Sequence, residues 1–495
     1  MDKPTDYESV FRSSNLLRGT IFMNKNFKKI FSALFSLLIF VSGFIYLNLS
    51  KKDISEPEIQ MSPKKFMYND KFGKADKYTS KDISRKKELT NIRINELPGA
   101  SEPVIKCSPT SNQILIVSAN DFSIDENKAR IFISVNKGLD WKAGEIDLSE
   151  CYSASSYSDP WIEYDNNSEL FFTSIQYDMH KNINEGIFFA RSNDNGINWT
   201  SDKNLLASNS TSSVKIDKPK IFISKNDIIY IYWTEISGYK SHINLIMSKD
   251  KGKSFSDPIA LTDDKSHFSS MIEDNKGNIY LAYVNDGKSI KVIRSFDEGN
   301  EWSNIKSYLK INAAGKSVEN NSILKSVKSS GIRINSEPSL ELSSEGEILI
   351  TYSARGIGND LSDVYFAKLI NENSEFTIPA RINSDETEND QYQPLIETDE
   401  NGLIYIFYQD SRNDNNNILT ESYISVSSDG GNTFTDKNLS TNPYSPSEIA
   451  VGKYFGDYNS FIVSGKDIIA VWTDGRNGNF DVYAGILNRD HIIGN

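Results

Sequence analysis

The chain has 495 residues, including 24 Tyr and 26 Phe, and a net charge of −13. This length accommodates a large repeat domain, and the aromatic content together with abundant Gly, Asn, Asp and Ser favours strands and turns. The negative charge argues against a phosphate-binding surface, which needs clusters of Lys and Arg, so we expect no nucleic-acid partner.

The N-terminal region predicts a membrane anchor. Residues 29–49 contain an uncharged run, IFSALFSLLIFVSGFIYLNL, that is long enough to cross a hydrocarbon core of about 30 Å. Lys25 and Lys28 precede the run, so residues 1–28 are predicted to be cytoplasmic and the C-terminal domain extracytoplasmic. The protein would then be a single-pass membrane protein tethered by its N-terminal helix.

A cleaved signal peptide is the alternative. A start at Met23 gives the basic and then apolar pattern of a signal peptide, and the protein would be secreted or periplasmic. No A-x-A-like cleavage site follows, so the uncleaved anchor is favoured. In both cases the bulk of the chain is exported, and Cys107 and Cys151 either form a disulfide or remain buried thiols.

The pattern changes after the anchor. Residues 50–90 are rich in Lys, Asp and Ser without hydrophobic periodicity, which indicates a flexible linker. From residue 91, short apolar runs alternate with turn residues, and many runs are preceded by a strand start such as SEPVI at Ser101 or SEPSL at Ser336. Seven runs recur at the spacing of four-stranded propeller blades: NQILIVSA, SELFFTSI, DIIYIYWT, GNIYLAYV, GEILITYS, GLIYIFYQ and DIIAVWTD.

Five segments share the pattern S-x-[DN]-x-G-x-x-[WF], which predicts a specific turn after a strand. The Asp or Asn side chain can accept hydrogen bonds from the turn backbone, the Gly supplies a positive φ, and the aromatic residue can fold back between sheets. The five segments are SVNKGLDW, SNDNGINW, SKDKGKSF, SFDEGNEW and SSDGGNTF. Their repetition in successive units predicts a repeat architecture.

These turns resemble the Asp-box repeats of the bacterial neuraminidase (sialidase) family, and the resemblance covers about residues 91–495. It implies an all-β propeller in which the boxes join the third and fourth strands, on the face away from the usual active site. Seven blades are favoured, with six as the alternative because sialidases usually have six. The segment TNIRINEL, before the first repeat, is expected to supply the last blade's fourth strand and close the ring.

The resemblance also implies an active site. A sialidase pairs a Tyr nucleophile with a Glu, and adds an Asp acid/base and three Arg residues for the substrate carboxylate. Matching stretches place these residues at Tyr458 (nucleophile), Glu337 (its base), Asp121 or Asp125 (acid/base), and Arg355 and Arg412 (carboxylate binding). Ser101 stands where the family has its first Arg, which departs from the family pattern.

A D-x-R-N pattern recurs around Arg412 and Arg476, and YSARG around Arg355 is a variant. These loops follow second strands, and in a propeller they lie on the face opposite the boxes. The three Arg residues could therefore converge with Asp457 and Tyr458 in an anion-binding pocket. Alternatively, each Asp–Arg pair cross-links its own loop.

Two functional hypotheses follow. The first is a sialidase-like exo-glycosidase acting on surface glycans, and the alternative is a non-catalytic propeller that binds a glycan or a protein at the cell surface. The four His residues are scattered and no Cys/His cluster exists, so we expect no metal and no cofactor.

Overall fold

The computed structural model describes residues 89–493, except 124–127, 148–154, 179–182, 202–204, 208–212, 319–320, 324–330, 357–359, 371–374 and 451–452. The predicted anchor at 29–49, nearly all of the linker and Cys151 lie outside the described residues. No helix within the described ranges combines the length and apolar character needed to cross a membrane. Cys107 carries a free thiol.

The described residues form a seven-bladed β-propeller of four-stranded antiparallel blades, which confirms the predicted seven-bladed architecture. The first strand of the chain, β1 (Leu89–Arg93), belongs to the last blade. Blades 1 to 3 follow, each listed from the centre outward: β2 (Ala100–Ser108), β3 (Ser111–Asp121), β4 (Lys128–Ser134) and β5 (Lys142–Asp147); β6 (Ser155–Tyr164), β7 (Leu170–Asp178), β8 (Ile183–Ser192) and β9 (Thr200–Ser201); β10 (Val214–Ile223), β11 (Ile229–Ser237), β12 (Lys240–Ser248) and β13 (Ile259–Ala260).

Blades 4 and 5 flank a small three-stranded insertion. Blade 4 contains β14 (Ser266–Glu273), β15 (Ile279–Asn285), β16 (Ser289–Ser295) and β17 (Ser303–Asn304), with β18 (Leu309–Lys310) also paired to β16. The insertion contains β19 (Lys316–Val318), β20 (Asn321–Ile323) and β21 (Arg333–Ile334). Blade 5 contains β22 (Ser339–Leu342), β23 (Ile348–Ala354), β24 (Asp363–Ile370) and β25 (Glu375–Phe376), with β26 (Ala380–Arg381) also paired to β24.

The last two blades complete the ring. Blade 6 contains β27 (Gln391–Thr398), β28 (Ile404–Asp410), β29 (Glu421–Ser427) and β30 (Thr435–Asn438), followed by the short helix α1 (Pro446–Ile449). Blade 7 contains β31 (Ser460–Ser464), β32 (Asp467–Asp474) and β33 (Asp481–Asn488), and α2 (Asp490–Ile493) follows it. The fourth strand of blade 7 is β1, which pairs with β33 from Leu89↔Leu487 to Arg93↔Tyr483.

The second strand of every blade is buried on both faces because each blade packs between two neighbours. In β7, Phe172 packs into the core shared with blade 1, while Phe171 packs into the core shared with blade 3. Successive side chains of a strand point to opposite faces, so both faces must be apolar here. This requirement explains the seven continuous apolar runs in the sequence.

The five repeated turns connect third and fourth strands in blades 1, 2, 3, 4 and 6, and they share one hydrogen-bond pattern. The Ser hydroxyl donates to the Asp or Asn side chain over 2.7–3.0 Å and accepts from the Gly N–H over 2.8–2.9 Å. The Gly has a φ of 75° to 87° and packs against an adjacent side chain; a Cβ on Gly252 would lie 2.4 Å from Phe189 of blade 2. Both the backbone angle and the close packing therefore require glycine.

Candidate functional site

The first strands of the seven blades surround a central channel. They contact one another in ring order, from β2 through β6, β10, β14, β22 and β27 to β31 and back to β2. Because these strands all begin at the same end, the channel has a strand-start end, and the five repeated turns mark the opposite end, which we name the turn end.

The first strands of blades 1, 2, 3 and 6 begin with the same irregularity. The residue before a proline has a φ of 51–54°, and the pairing with the second strand slips at this point. These residues are Glu102, Asp159, Lys218 and Gln393. A left-handed conformation is unfavourable for a non-glycine residue, and proline cannot donate a ladder hydrogen bond, so the strand bulges here.

Charged side chains at the strand-start end form what we name the mouth cluster, which consists of Glu102, Asp159, Asp217, Lys218, Arg333 and Asp457. Asp457 lies at its centre. It accepts a hydrogen bond from Lys218 Nζ at 2.9 Å and two from Arg333, at 3.0 Å from Nε and 2.6 Å from Nη2. The side chains of Asp457 and Lys218 are only 10% and 4% exposed, so the cluster is a buried ion network.

The carboxyl groups of the mouth cluster differ in their electrostatic environment. Burial opposes ionisation of Asp457, but the charges of Arg333 and Lys218 and their hydrogen bonds outweigh it and lower the pKa of Asp457. Burial also opposes ionisation of Asp217, but the hydrogen bond and the charge of His267, whose Nε2 lies 2.7 Å from the carboxylate, outweigh it. The pKa of Asp217 is therefore lowered as well.

The other two carboxyl groups shift in the opposite direction. Burial raises the pKa of Glu102, and burial with the neighbouring Glu102 and Asp217 carboxyls raises the pKa of Asp159 well above its usual value. The cluster therefore holds carboxyl groups whose pKa values are separated by their surroundings, a pattern found where acid and base roles are divided.

A cavity of about 330 Å³ lies in the channel, and all seven blades contribute to its lining. Of the mouth cluster, only Asp457 lines this cavity. Toward the strand-start end its wall includes Trp161, Lys220, Glu337 and Tyr458. The volume falls within the usual range for small-molecule sites.

Two aromatic rings and an ion pair form this part of the wall. The Trp161 and Tyr458 rings are 6.0 Å apart, and Lys220 Nζ lies 4.8 Å from the Trp161 ring. Lys220 also pairs with Glu337. The Tyr458 hydroxyl donates to the Pro160 carbonyl at 3.3 Å, and burial raises the pKa of Tyr458 well above its usual value.

Four further charged residues line the cavity toward the turn end. They are Lys106, which pairs with Glu163, and two further glutamates, Glu341 and Glu397. Burial raises the pKa of Glu341 to about 7, and a backbone N–H and Lys106 only partly offset it. Burial, with the adjacent Glu341, raises the pKa of Glu397 to about 8. Within the described ranges no group of His, Cys, Asp and Glu is arranged to hold a metal ion.

Three of the predicted site residues line the cavity together: Tyr458, Glu337 and Asp457. Asp121 does not line it; its carboxylate accepts from Ser123 N and pairs with Arg130 at 3.2 Å. Asp125 lies outside the described residues. The catalytic roles assigned to these side chains stay predictions.

The three predicted Arg residues are not brought to the cavity. Arg355 Nε donates to the Gly315 carbonyl at 2.6 Å. Arg412 pairs with Asp410 and with Asp436, and its guanidinium lies 4.5 Å from the Tyr423 ring. Their predicted part in substrate binding stays a prediction, but the convergence on Tyr458 is not the observed arrangement.

Arg476 repeats the arrangement of Arg412 in the next blade. It pairs with the buried Asp474 at 2.7 Å, donates to Asn91 and Thr441, and lies 4.3 Å from the Tyr483 ring. The D-x-R-N pattern therefore cross-links a loop to its own blade and to the adjacent strand, as the alternative interpretation states.

The sequence patterns did not identify Lys218, Lys220 or Arg333 as site residues. A signal for the two lysines exists in the strand start DKPKI, which occupies the position of SEPVI in blade 1. Arg333 lies in the insertion between blades 4 and 5, outside the repeat, so the repeat pattern carries no information about it.

Comparison with known proteins gives resemblances of fold. No protein-family profile matches the chain, and no curated protein matches it. Among solved structures, the polysaccharide lyase Uly1 is 10% identical with a TM-score of 0.49, covering 78% of this chain and 90% of the lyase. A Penicillium chrysogenum α-L-arabinanase is 11% identical with a TM-score of 0.46, covering 82% of this chain and 100% of the arabinanase. A Trypanosoma rangeli sialidase is 11% identical with a TM-score of 0.39, covering 81% and 59% of the two chains.

Proposed function

We propose that the propeller binds a sugar residue of a glycan in the channel cavity. The supporting observation is the wall formed by Trp161 and Tyr458 in a cavity whose lining combines apolar side chains with a few charged and polar ones. An aromatic face packs against the C–H face of a pyranose ring, while Glu337, Lys220 and Asn459 offer acceptors and donors for its hydroxyl groups. A cavity with an apolar wall and a few placed polar groups suits a ligand of this type.

A glycan array probed with the full-length chain, followed by titration of the retained sugars, tests this proposal. Trp161→Ala is expected to weaken binding at least about tenfold, because it removes the aromatic wall. Tyr308→Ala, which removes an exposed aromatic ring outside the channel, is the matched control and should bind normally. Failure to retain any glycan, or normal binding by Trp161→Ala, contradicts the proposal.

Sialidase-type hydrolysis is a second candidate function, because Tyr458, Glu337 and Asp457 line the same cavity. In the observed arrangement the Tyr458 hydroxyl is bound to a carbonyl and Glu337 is paired with Lys220, so activation of Tyr458 requires Glu337 to leave Lys220. A fluorogenic sialoside distinguishes the two functions. Turnover by the parent that is lost in Tyr458→Phe supports hydrolysis, and glycan binding without turnover supports binding alone.

We also propose that the propeller is extracytoplasmic and tethered by residues 29–49, on the basis of the uncharged run and the lysines before it. Protease added to intact cells should digest the propeller, and the full-length chain should remain with the membrane after a salt wash. A mature N-terminus downstream of residue 49 would instead support the cleaved signal peptide.

A further inference from the structure

The charged side chains that line the channel cavity are unequally paired. Lys220 pairs with Glu337, and Lys106 pairs with Glu163. Asp457 is compensated from outside the lining by Lys218 and Arg333. After these pairings, the lining contains no further lysine or arginine.

Glu341 and Glu397 remain. They come from corresponding positions of the adjacent strands β22 and β27, and neither forms an ion pair with any described cation. Glu341 accepts a hydrogen bond from the Leu342 N–H at 2.8 Å. The channel cavity therefore presents two neighbouring carboxyl groups that form no ion pair, next to a wall suited to a sugar ring. Lys106, which is already paired with Glu163, offsets their charge only in part.

We propose that the sugar bound in the channel cavity carries a protonated amine, which lies between Glu341 and Glu397. This inference rests on the proposed sugar binding and specifies the class of sugar. An ammonium group supplies three donors and one positive charge, which matches two adjacent carboxylates. The amine would therefore favour the ionised form of two groups whose pKa values burial raises.

The charged side chains at the two ends of the channel differ in exposure. At the strand-start end, Glu102 and Lys218 are almost fully buried in the mouth cluster. Toward the turn end, the side chains of Lys106 and Glu163 remain 28% and 22% exposed. The charged side chains toward the turn end are therefore more accessible than those of the mouth cluster.

The test titrates D-glucosamine, N-acetyl-D-glucosamine and D-glucose into the full-length chain at pH 6.5, where the glucosamine amine is protonated. A charge-assisted contact is expected to make glucosamine bind about tenfold or more tightly than glucose, and acetylation should remove this advantage. Binding of glucosamine should also release protons, which calorimetry detects as a dependence of the measured heat on the buffer. The two neutral sugars should show no such dependence.

Two conservative variants locate the amine. Glu341→Gln and Glu397→Gln should each abolish most of the preference for glucosamine over glucose. Glu345→Gln, in the exposed turn after β22, is the matched control and should retain the full preference. The thermal unfolding midpoint of each variant confirms that the propeller is folded.

The outcomes separate this inference from the proposed function. If the three sugars bind equally and Trp161→Ala weakens all of them, the cavity binds sugars but the amine inference is wrong. Calcium chloride binding that is lost in both Gln variants, without a glucosamine preference, also overturns it. If no sugar binds and no glycan is retained, both the amine inference and the proposed function are wrong.

Discussion

Replacement of Asp457 by Asn tests whether the mouth cluster stabilises the propeller. Asn has nearly the shape of Asp but lacks the charge, so Lys218 and Arg333 would lose their shared counter-ion. Both cations are largely buried, at 4% and 18% side-chain exposure. Breaking a buried ion pair by removing one partner costs about 3–5 kcal/mol, because an uncompensated charge remains in the interior.

The expected change in melting temperature follows from the size of the propeller. An unfolding entropy of about 2.1 cal/mol/K per residue over roughly 400 residues gives about 0.85 kcal/mol/K. A loss of about 4 kcal/mol then lowers the melting temperature by about 5 °C. Asp467→Asn is the matched control: its partner is Lys137 at 2.9 Å, and both side chains are partly exposed. A surface pair of this type contributes at most about 1 kcal/mol, or about 1 °C.

Scanning calorimetry of the parent and both variants at neutral pH measures this difference. The lowered pKa of Asp457 adds a pH condition: its contribution is present above the unfolded pKa of about 3.9 and is lost as the pH falls through the lower folded value. The gap between the parent and Asp457→Asn should therefore close only under strongly acidic conditions. Equal melting temperatures for Asp457→Asn and Asp467→Asn at neutral pH would refute the reasoning.

Three further predictions concern the turns, the loops and the channel. Gly252→Ala should destabilise the fold by several kcal/mol more than Gly238→Ala in urea unfolding, because both positions have positive φ but only Gly252 lies against Phe189. Arg476→Lys should lower the free energy of unfolding by about 2–3 kcal/mol, because the guanidinium contacts with the buried Asp474 are lost. Sugar binding should be unchanged, whereas weaker sugar binding would support the predicted role of Arg476 in substrate binding. Because the pKa values of Glu341 and Glu397 are raised, the folded protein binds protons more tightly than the unfolded chain does. The free energy of unfolding should therefore fall as the pH rises from about 5 to 8, and a variant with Gln at both positions should flatten this profile.

The blades could be predicted because their signals are local. The turn at Ser248 closes through hydrogen bonds to Asp250 and Gly252, all within eight residues of sequence. The second strands are visible because packing on both faces demands a continuous apolar run. The closing strand β1 could be predicted for a different reason: the last repeat lacked one strand, and only the segment before the first repeat was available to supply it.

The mouth cluster could not be predicted in the same way, because its contacts join distant parts of the chain. Arg333 and Asp457 are 124 residues apart, and Lys218 and Asp457 are 239 residues apart. The repeat pattern instead indicates Arg412 and Arg476, because both repeats have an arginine at the same place in the D-x-R-N pattern. In those loops the Asp two residues earlier already satisfies the guanidinium, so the local pattern describes a local cross-link.

The strand starts SEP in blade 1 (Ser101–Pro103), SDP in blade 2 (Ser158–Pro160) and DKP in blade 3 (Asp217–Pro219) connect adjacent blades through N–H groups that the bulge removes from the ladder. Glu102 N donates to Thr473 Oγ1 of blade 7, and Lys218 N donates to Asp159 Oδ2 of blade 2. The Glu102 carboxylate in turn accepts from Asp457 N at 2.9 Å. At these strand starts the acidic side chains of blades 1 and 2, Glu102 and Asp159, therefore serve as hydrogen-bond acceptors that hold neighbouring blades together.

Glu337 lies in the corresponding strand start of blade 5, SEPSL, but differs from Glu102 and Asp159 in its backbone and its surroundings. It is not among the described residues with positive φ, and it lines the channel cavity, whereas Glu102 and Asp159 do not. Its partner is the side chain of Lys220, whose Nζ also donates to the Ser269 carbonyl at 2.9 Å, and not a backbone N–H group in a bulge. A ligand that separates this pair must offset the cost of parting two largely buried charges, whose side chains are 9% and 13% exposed. Sequence similarity alone ranks these three acidic residues equally, but of the three only Glu337 lines the channel cavity.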